Sequence, residues 1–458
     1  MREQNILCVY YFNEWIFLRL GERVEIGLLY GLQMAPLVCM KAFSLRLVFL
    51  VFTLNATLVA AADEAQSGWV PRQDVVDAMH KKRPDFNFEE SKVPDYQLPD
   101  LLVSLEGKPV TTIQDWENHQ RPALLKLFQE HVYGVRPDTR YTVEYEEVGR
   151  RNNAFGIGAT ARQIRATIQS NGKSHSFDFV IVIPKSHQPV PVIVHINNRY
   201  FIPLDKAIDE FDPFWPVEKI VRRGYATAAF HTSDVDPDKP DGYSEGIRAL
   251  LDDPNSDEET RWRCLSSWAW AASRVLDFAL EEPEIDAKRT AVAGNSRAGK
   301  TALWAGAEDE RFTLTYSNES GCGGAALSRR AFGETVARIT QVFPHWFCER
   351  LTSYGGREQA LPVDQHQLIS LLAPRAVYVA SADEDLWADP KGEYTSLIKA
   401  APVFDLFGLE HIKDPEMPPL NTPRRVGSTG YHIRTGTHSL IEQDWGYFLD
   451  FAEFIFER

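Results

Sequence analysis

Past residue 190 this chain alternates short apolar runs with longer amphipathic ones, and few folds satisfy that alternation. Residues 190–196, 225–230, 289–294 and 375–382 read as strands. Residues 216–223 and 262–282 read as helices between them, and residues 439–457 as the last helix. Strands that are apolar on both faces need helices on both sides. The pattern therefore predicts a mostly parallel central sheet inside a three-layer α/β sandwich. Earlier in the chain, residues 114–132 read as a helix, and residues 141–148, 162–168 and 177–183 alternate as antiparallel strands do. These belong at the N-terminal edge of the same sheet. In such a sheet, catalytic groups gather at the carboxyl ends of the parallel strands.

One junction stands at such an end. Residues 290–300 read TAVAGNSRAGK: an apolar strand reaches Gly294, Ser296 follows, and residues 301–307 continue as a helix. A serine at the apex of a strand–turn–helix bend holds its hydroxyl where a base can reach it. The N–H groups opening the helix can hold a developing oxyanion. The run departs from G-x-S-x-G, because Gly299 comes three residues after the serine and the small Ala298 takes the usual glycine position. A serine that merely caps a helix would look the same, so the reading depends on an acid and a histidine elsewhere.

Hydrolases built on this elbow carry serine, acid and histidine in that chain order. His411, His432 and His438 come late enough. His438, in GTHSLIEQDW just ahead of the last helix and close to Gly436, is the strongest candidate; His432, in a strand-like run, is the runner-up. Asp385, in ASADEDLWADP straight after the strand at 375–382, holds the usual station for the acid, and Asp383, Glu384 and Asp389 have the same local claim. Glu319, in SNESGCGGAA after a strand-like run at 313–316, could reach the same imidazole from the other side. The residues alone leave the two acids undecided.

Bulk properties exclude other classes. The 458 residues are 44% hydrophobic, enough for a large core, and the net charge of −15 leaves no basic footprint for a phosphate backbone, so no nucleic-acid partner is expected. From Met40 a short basic stretch, an apolar one and Ala60-Ala61-Ala62 follow, the pattern of a secretory signal peptide over residues 40–62 cut near Ala62. Its apolar part is too short and interrupted to span a bilayer comfortably, so stable membrane insertion is not expected. Residues 1–39 then read as an upstream mis-start of the reading frame, the alternative being a cytoplasmic extension before a signal anchor. The mature chain is expected to be secreted or periplasmic and monomeric. It would comprise an extended arm over residues 63–110, rich in Pro, Asp and Lys, and a catalytic domain over residues 111–458. Past Ala62 only Cys264, Cys322 and Cys348 remain, which allows one disulfide at most. No Cys/His run has zinc spacing, so no metal is expected.

The runs GNSRAGKTALWAG, NESGCGGAALSRR, VFPHWFCERLTSYGG, LPVDQHQLISLLAPRAVYV and GTHS, in this order and at these separations, resemble the glucuronoyl esterases of carbohydrate esterase family 15. The resemblance covers most of the chain from about residue 190 to the end. It implies an α/β-hydrolase with no cofactor. The implied reaction cleaves the ester between a 4-O-methylglucuronoyl side chain of plant cell-wall glucuronoxylan and a lignin alcohol. Ser296 matches the nucleophile of this family and His438 its base. Glu319 matches the acid of members whose acid follows the earlier strand, and Asp385 falls on a second, supporting carboxylate. Arg297 matches a residue that helps hold the oxyanion, Lys300 one that binds sugar hydroxyls, and Trp387 an aromatic lying against the uronosyl ring. Some members join cysteines beside the serine and the histidine in a disulfide. Here Asn295 and Ser439 stand at those positions, so packing must hold the histidine loop; a pairing of Cys322 with Cys348 stays open. The alternatives are another carbohydrate esterase, such as one removing acetyl groups from xylan, and an inactive fold that only binds polysaccharide.

Overall fold

The computed structural model describes residues 68–457 and three short strands upstream of them. The chain divides into two compact units, Met1–Gln66 and Ser67–Arg458. In the first, Ile6–Tyr11, Glu14–Arg19 and Glu25–Leu28 pair antiparallel in chain order. The expected signal peptide at 40–62 and its cleavage point lie outside the described residues.

The second unit opens with a difference from expectation. The arm is not extended throughout, because α1 (Gln73–Lys82) forms within it and buries Val75 and Val76. The helix expected at 114–132 is a continuous helical run from Ile113 to Tyr133, with π turns at Trp116–Gln120 and Gln129–Tyr133.

A ten-stranded sheet follows. β1 (Thr142–Ala154), β2 (Ala159–Ser170) and β3 (Lys173–Ile183) make an antiparallel meander. Then come β4 (Val190–Asn197), β5 (Ala226–His231), β6 (Ile285–Asn295), β7 (Leu314–Asn318), β8 (Ala376–Ala382), β9 (Arg424–Val426) and β10 (Thr429–Arg434). Across the sheet the order is β9-β10-β8-β7-β6-β4-β5-β3-β2-β1. From β10 to β5 every neighbouring pair is parallel. The expected mostly parallel sheet with antiparallel strands at the N-terminal edge is the observed one, and this is the α/β-hydrolase arrangement.

Helices cover both faces because alternate strand residues point to opposite sides. Val377 and Val379 of β8 join the core under α2 (Cys264–Glu281) and α3 (Arg297–Glu308), with Trp268, Trp270 and Trp304. Their neighbours Tyr378 and Ala380 join the other core, where α4 (Glu442–Phe456) contributes Trp445 and Phe448. Tyr316 of β7 and Phe448 stack with ring centroids 4.4 Å apart. α4 starts later than expected: Asp444 accepts from the Ile441 N–H (2.8 Å), and Ser439 stays in the loop before the helix. Cys264, Cys322 and Cys348 are all free and buried, so Cys322 and Cys348 do not pair. Among the described residues no helix is long and apolar enough to cross a membrane.

Candidate active site

The carboxyl ends of β6, β7, β8 and β10 deliver Ser296, Glu319, Asp385 and the loop carrying His438 to one side of the sheet. Ser296 has φ 58° and ψ −123°. A non-glycine residue held there costs about 1–3 kcal/mol unless the surroundings dictate it. Here the Ser296 N–H donates to the Asn318 carbonyl (2.9 Å), which ties the turn to the next strand. Gly294 permits the bend, since a Cβ at that position would stand 2.1 Å from the Ala298 carbonyl oxygen. The Lys300 N–H reaches back to the Ser296 carbonyl (3.1 Å), whereas among the described residues the N–H groups of Arg297, Ala298 and Gly299 make no backbone bond. They are orphan donors at the positive end of α3, suited to an oxyanion. Glu319 is also held at positive φ, 46°.

Both expected acids meet on one ring nitrogen. His438 Nδ1 lies 2.6 Å from Asp385 Oδ2 and 3.1 Å from Glu319 Oε2. Asp385 is nearly buried and Glu319 fully so, while the His438 side chain is 42% exposed. Glu319 has two further partners: Arg434 Nη2 donates to Oε1 (2.6 Å) and the Ser439 N–H to Oε2 (2.8 Å). Burial pushes the Glu319 carboxyl above its usual range, and the bond to His438 only partly offsets this. For His438 burial works downward, but Asp385 and Glu319 together outweigh it and raise the imidazole. The ligand atoms of Glu319, Asp385 and His438 lie within 4.8 Å of one another, a cation-compatible spacing that the Asp385 hydrogen bond and the Glu319 ion pair already account for.

Ser296 and His438 line one cleft of about 370 Å³. Among the described residues no hydrogen bond closes between the Ser296 hydroxyl and the imidazole. Such bonds are often long without substrate, and with Nδ1 occupied Nε2 is the nitrogen left for the serine.

Arg297, Lys300 and Trp387 line the same cleft. Arg297 forms an ion pair with Asp238. Lys300 is buried and donates to the Ser320 carbonyl, and burial lowers its pKa. Trp387 is half-buried, with the Arg83 guanidinium 3.8 Å above its ring, so the N-terminal arm covers one face of it. Glu334, which sequence reasoning missed, is half-buried in this cleft and raised by burial, with Lys300 pulling the other way. Arg434 was missed as well; a buried arginine leaves no signal in a strand pattern. The runner-up histidines take structural places. His432 is buried with Nε2 2.9 Å from Asp444, and His411 bonds Asp405 at 3.1 Å.

A family model described as "Glucuronyl esterase, fungi" matches residues 166–408. The carbohydrate esterase MZ0003, from an unknown prokaryotic organism, is 36% identical over 416 residues, covering 84% of this chain and 94% of that protein. The chain belongs to the glucuronoyl esterase family. It is a carboxylic ester hydrolase. A 4-O-methyl-glucuronoyl methylesterase of Schizophyllum commune is 29% identical over 324 residues, 68% of this chain and 74% of that one. Among solved structures, a glucuronoyl esterase from Solibacter usitatus superposes with a TM-score of 0.74 at 36% identity, covering 79% of this chain and 99% of the other.

Proposed function

We propose that this glucuronoyl esterase-family chain hydrolyses 4-O-methylglucuronoyl esters that join glucuronoxylan to lignin alcohols, by a serine–histidine–carboxylate mechanism through an acyl-enzyme. The observation that carries the mechanism is His438 Nδ1 hydrogen-bonded to Asp385 and ion-paired with Glu319 in a cleft shared with Ser296. The relatives named as 4-O-methyl-glucuronoyl methylesterases support the substrate class.

Ser296 attacks the uronoyl carbonyl while His438 Nε2 takes its proton. Asp385 and Glu319 keep the remaining proton on Nδ1 and stabilise the imidazolium. The orphan N–H groups of α3 and the Arg297 guanidinium hold the tetrahedral oxyanion, each such donor being worth about 3–4 kcal/mol. His438 returns the proton to the departing alcohol. A water activated by the same imidazole then releases the uronic acid. Lys300 uses its remaining N–H donors on sugar hydroxyls, and Trp387, on the cleft wall, packs against the uronosyl ring. No step calls for a metal or organic cofactor. Residues 40–62 are the export signal in this reading, and residues 63–458 the mature enzyme.

The test is Ser296→Ala assayed on the methyl ester of 4-O-methylglucuronic acid. The folded variant should lose all but a residual activity on the order of 10⁻⁴ to 10⁻⁶ of the parent; full activity would end the proposal.

A further inference from the structure

Arg297 opens α3 beside Ser296, and its side chain is about one-third exposed on the cleft wall. A free arginine there would sample many rotamers, and a charge meant for an oxyanion works only if it is in place beforehand. The structure shows what fixes it. Arg297 Nη1 donates to Asp238 Oδ2, and the guanidinium carbon lies 5.3 Å from the centre of the Trp346 ring.

Asp238 lies in the connection after β5 and is bonded on both oxygens. Its Oδ1 accepts from His345 Nε2 (2.8 Å) and from Trp346 Nε1 (2.6 Å), while Oδ2 takes Arg297. Burial alone would raise this carboxyl; the bonds from His345, Arg297 and Trp346 hold it at about 2. The connection is itself anchored two residues earlier. Asp236 is fully buried, ion-paired to Arg248, and accepts from Ser267 Oγ (2.9 Å), and its carbonyl takes the Trp268 indole N–H (2.9 Å).

The pattern of donors used and unused argues for more than a structural tie. Only Nη1 of Arg297 is bonded to the protein among the described residues, and the buried Nε has no partner at all. Arg434, by contrast, is bonded on Nε, Nη1 and Nη2. Arg297 is gripped at one corner and left with donors to spare beside the nucleophile.

We propose that Asp238 is a positioning residue for the esterase reaction, holding the Arg297 guanidinium where the oxyanion forms. The inference rests on the reading of Arg297 as an oxyanion donor. It separates this carboxylate from Glu319 and Asp385, which act on the imidazole.

A double-mutant cycle on the purified full chain, with methyl glucuronate as probe, tests it. Arg297→Ala should lower kcat about 10²–10³-fold. Asp238→Asn should lower kcat about 10–100-fold with KM changed less than about twofold, the signature of misplacing a group that acts only in the transition state. In the Arg297→Ala background, Asp238→Asn should cost less than about twofold, because nothing remains to position. Trp346→Phe removes one donor to Asp238 and keeps the ring. It should also slow kcat only while Arg297 is present, and it serves if Asp238→Asn does not fold. If Arg297→Ala leaves kcat intact, the oxyanion reading and this inference fall together. If Arg297→Ala is slow, yet the Asp238 or Trp346 change costs the same factor with and without Arg297, the inference alone is overturned.

Discussion

Asp385→Asn should slow this enzyme far less than the loss of the only acid in a triad would. His438 Nδ1 bonds Asp385 at 2.6 Å and Glu319 at 3.1 Å, so removing the nearer charge leaves the farther one in place to hold the tautomer. A hydrogen bond to a charged group is worth about 1.5–3 kcal/mol, which is a factor of about 10–150. With the Glu319 ion pair taken at the same worth as the Asp385 hydrogen bond, the two contacts sum to about 3–6 kcal/mol, and that range brackets the roughly 10⁴-fold loss seen when a triad has its sole acid replaced by the amide. Asp385→Asn should therefore lower kcat about 10–150-fold on methyl glucuronate, and Asp385→Asn combined with Glu319→Gln should lower it about 10⁴-fold. The assay is steady-state hydrolysis with each variant's fold checked by circular dichroism. A full 10⁴-fold loss from Asp385→Asn alone would show that Glu319 does not substitute and refute the shared-acid argument. A double variant no slower than the single would refute it equally.

Two further outcomes follow from the same geometry. In the proposed mechanism His438 must be neutral to accept the serine proton, and the two carboxylates raise its pKa, so the acidic limb of kcat/KM should lie above the ordinary histidine value of about 6.5; Asp385→Asn should move that limb to lower pH, and a limb that stays or rises would contradict the pairing. The same raised pKa adds stability that is complete below pH of about 6.5 and fades as pH climbs through the folded-state value. Arg434→Gln strands the buried carboxylates of Glu319 and Asp444, whose bonds to Arg434 are 2.6 and 2.8 Å, and should cost about 3–5 kcal/mol in urea unfolding; a cost under about 1 kcal/mol would mean the network is not what holds this end of β10.

The sheet was legible because its parallel strands are buried on both faces and so read as unbroken apolar runs. β4 and β8 sit within a residue or two of where the runs predicted them. The elbow was legible too, since Gly294 and Ser296 occupy a junction that sequence alone defines. The acid was not. Glu319 and Asp385 end different strands, and only the folding of the His438 loop between them reveals that both reach one nitrogen. α1 was hidden inside a polar, proline-bearing stretch, where Val75, Val76 and Met79 are too few to set a helical period. Asp238 was invisible for a similar reason: its partners Arg297, His345 and Trp346 come from separate segments, and no local pattern joins them.

The histidine loop is where absence of a covalent tie meets the chemistry. Among the described residues no hydrogen bond joins Asn295, beside the serine, to Ser439, beside the histidine. Ser439 is instead held on every polar atom. Its N–H donates to Glu319 (2.8 Å), its carbonyl accepts from Arg434 (2.8 Å) and Asn318 (3.0 Å), and its hydroxyl takes Arg199 (3.0 Å). A disulfide acts mainly by restricting the unfolded chain, whereas these bonds act only once the fold has formed. The clamp is thereby linked to catalysis through one side chain, because the Glu319 oxygen that meets His438 also takes the Ser439 N–H. Glu319→Gln would consequently loosen the loop and weaken the imidazole's support together, and its kinetic cost would exceed that of Asp385→Asn even though Asp385 makes the shorter bond to His438. The larger effect from the longer bond is the mark of a carboxylate that both orients the base and holds the chain carrying it.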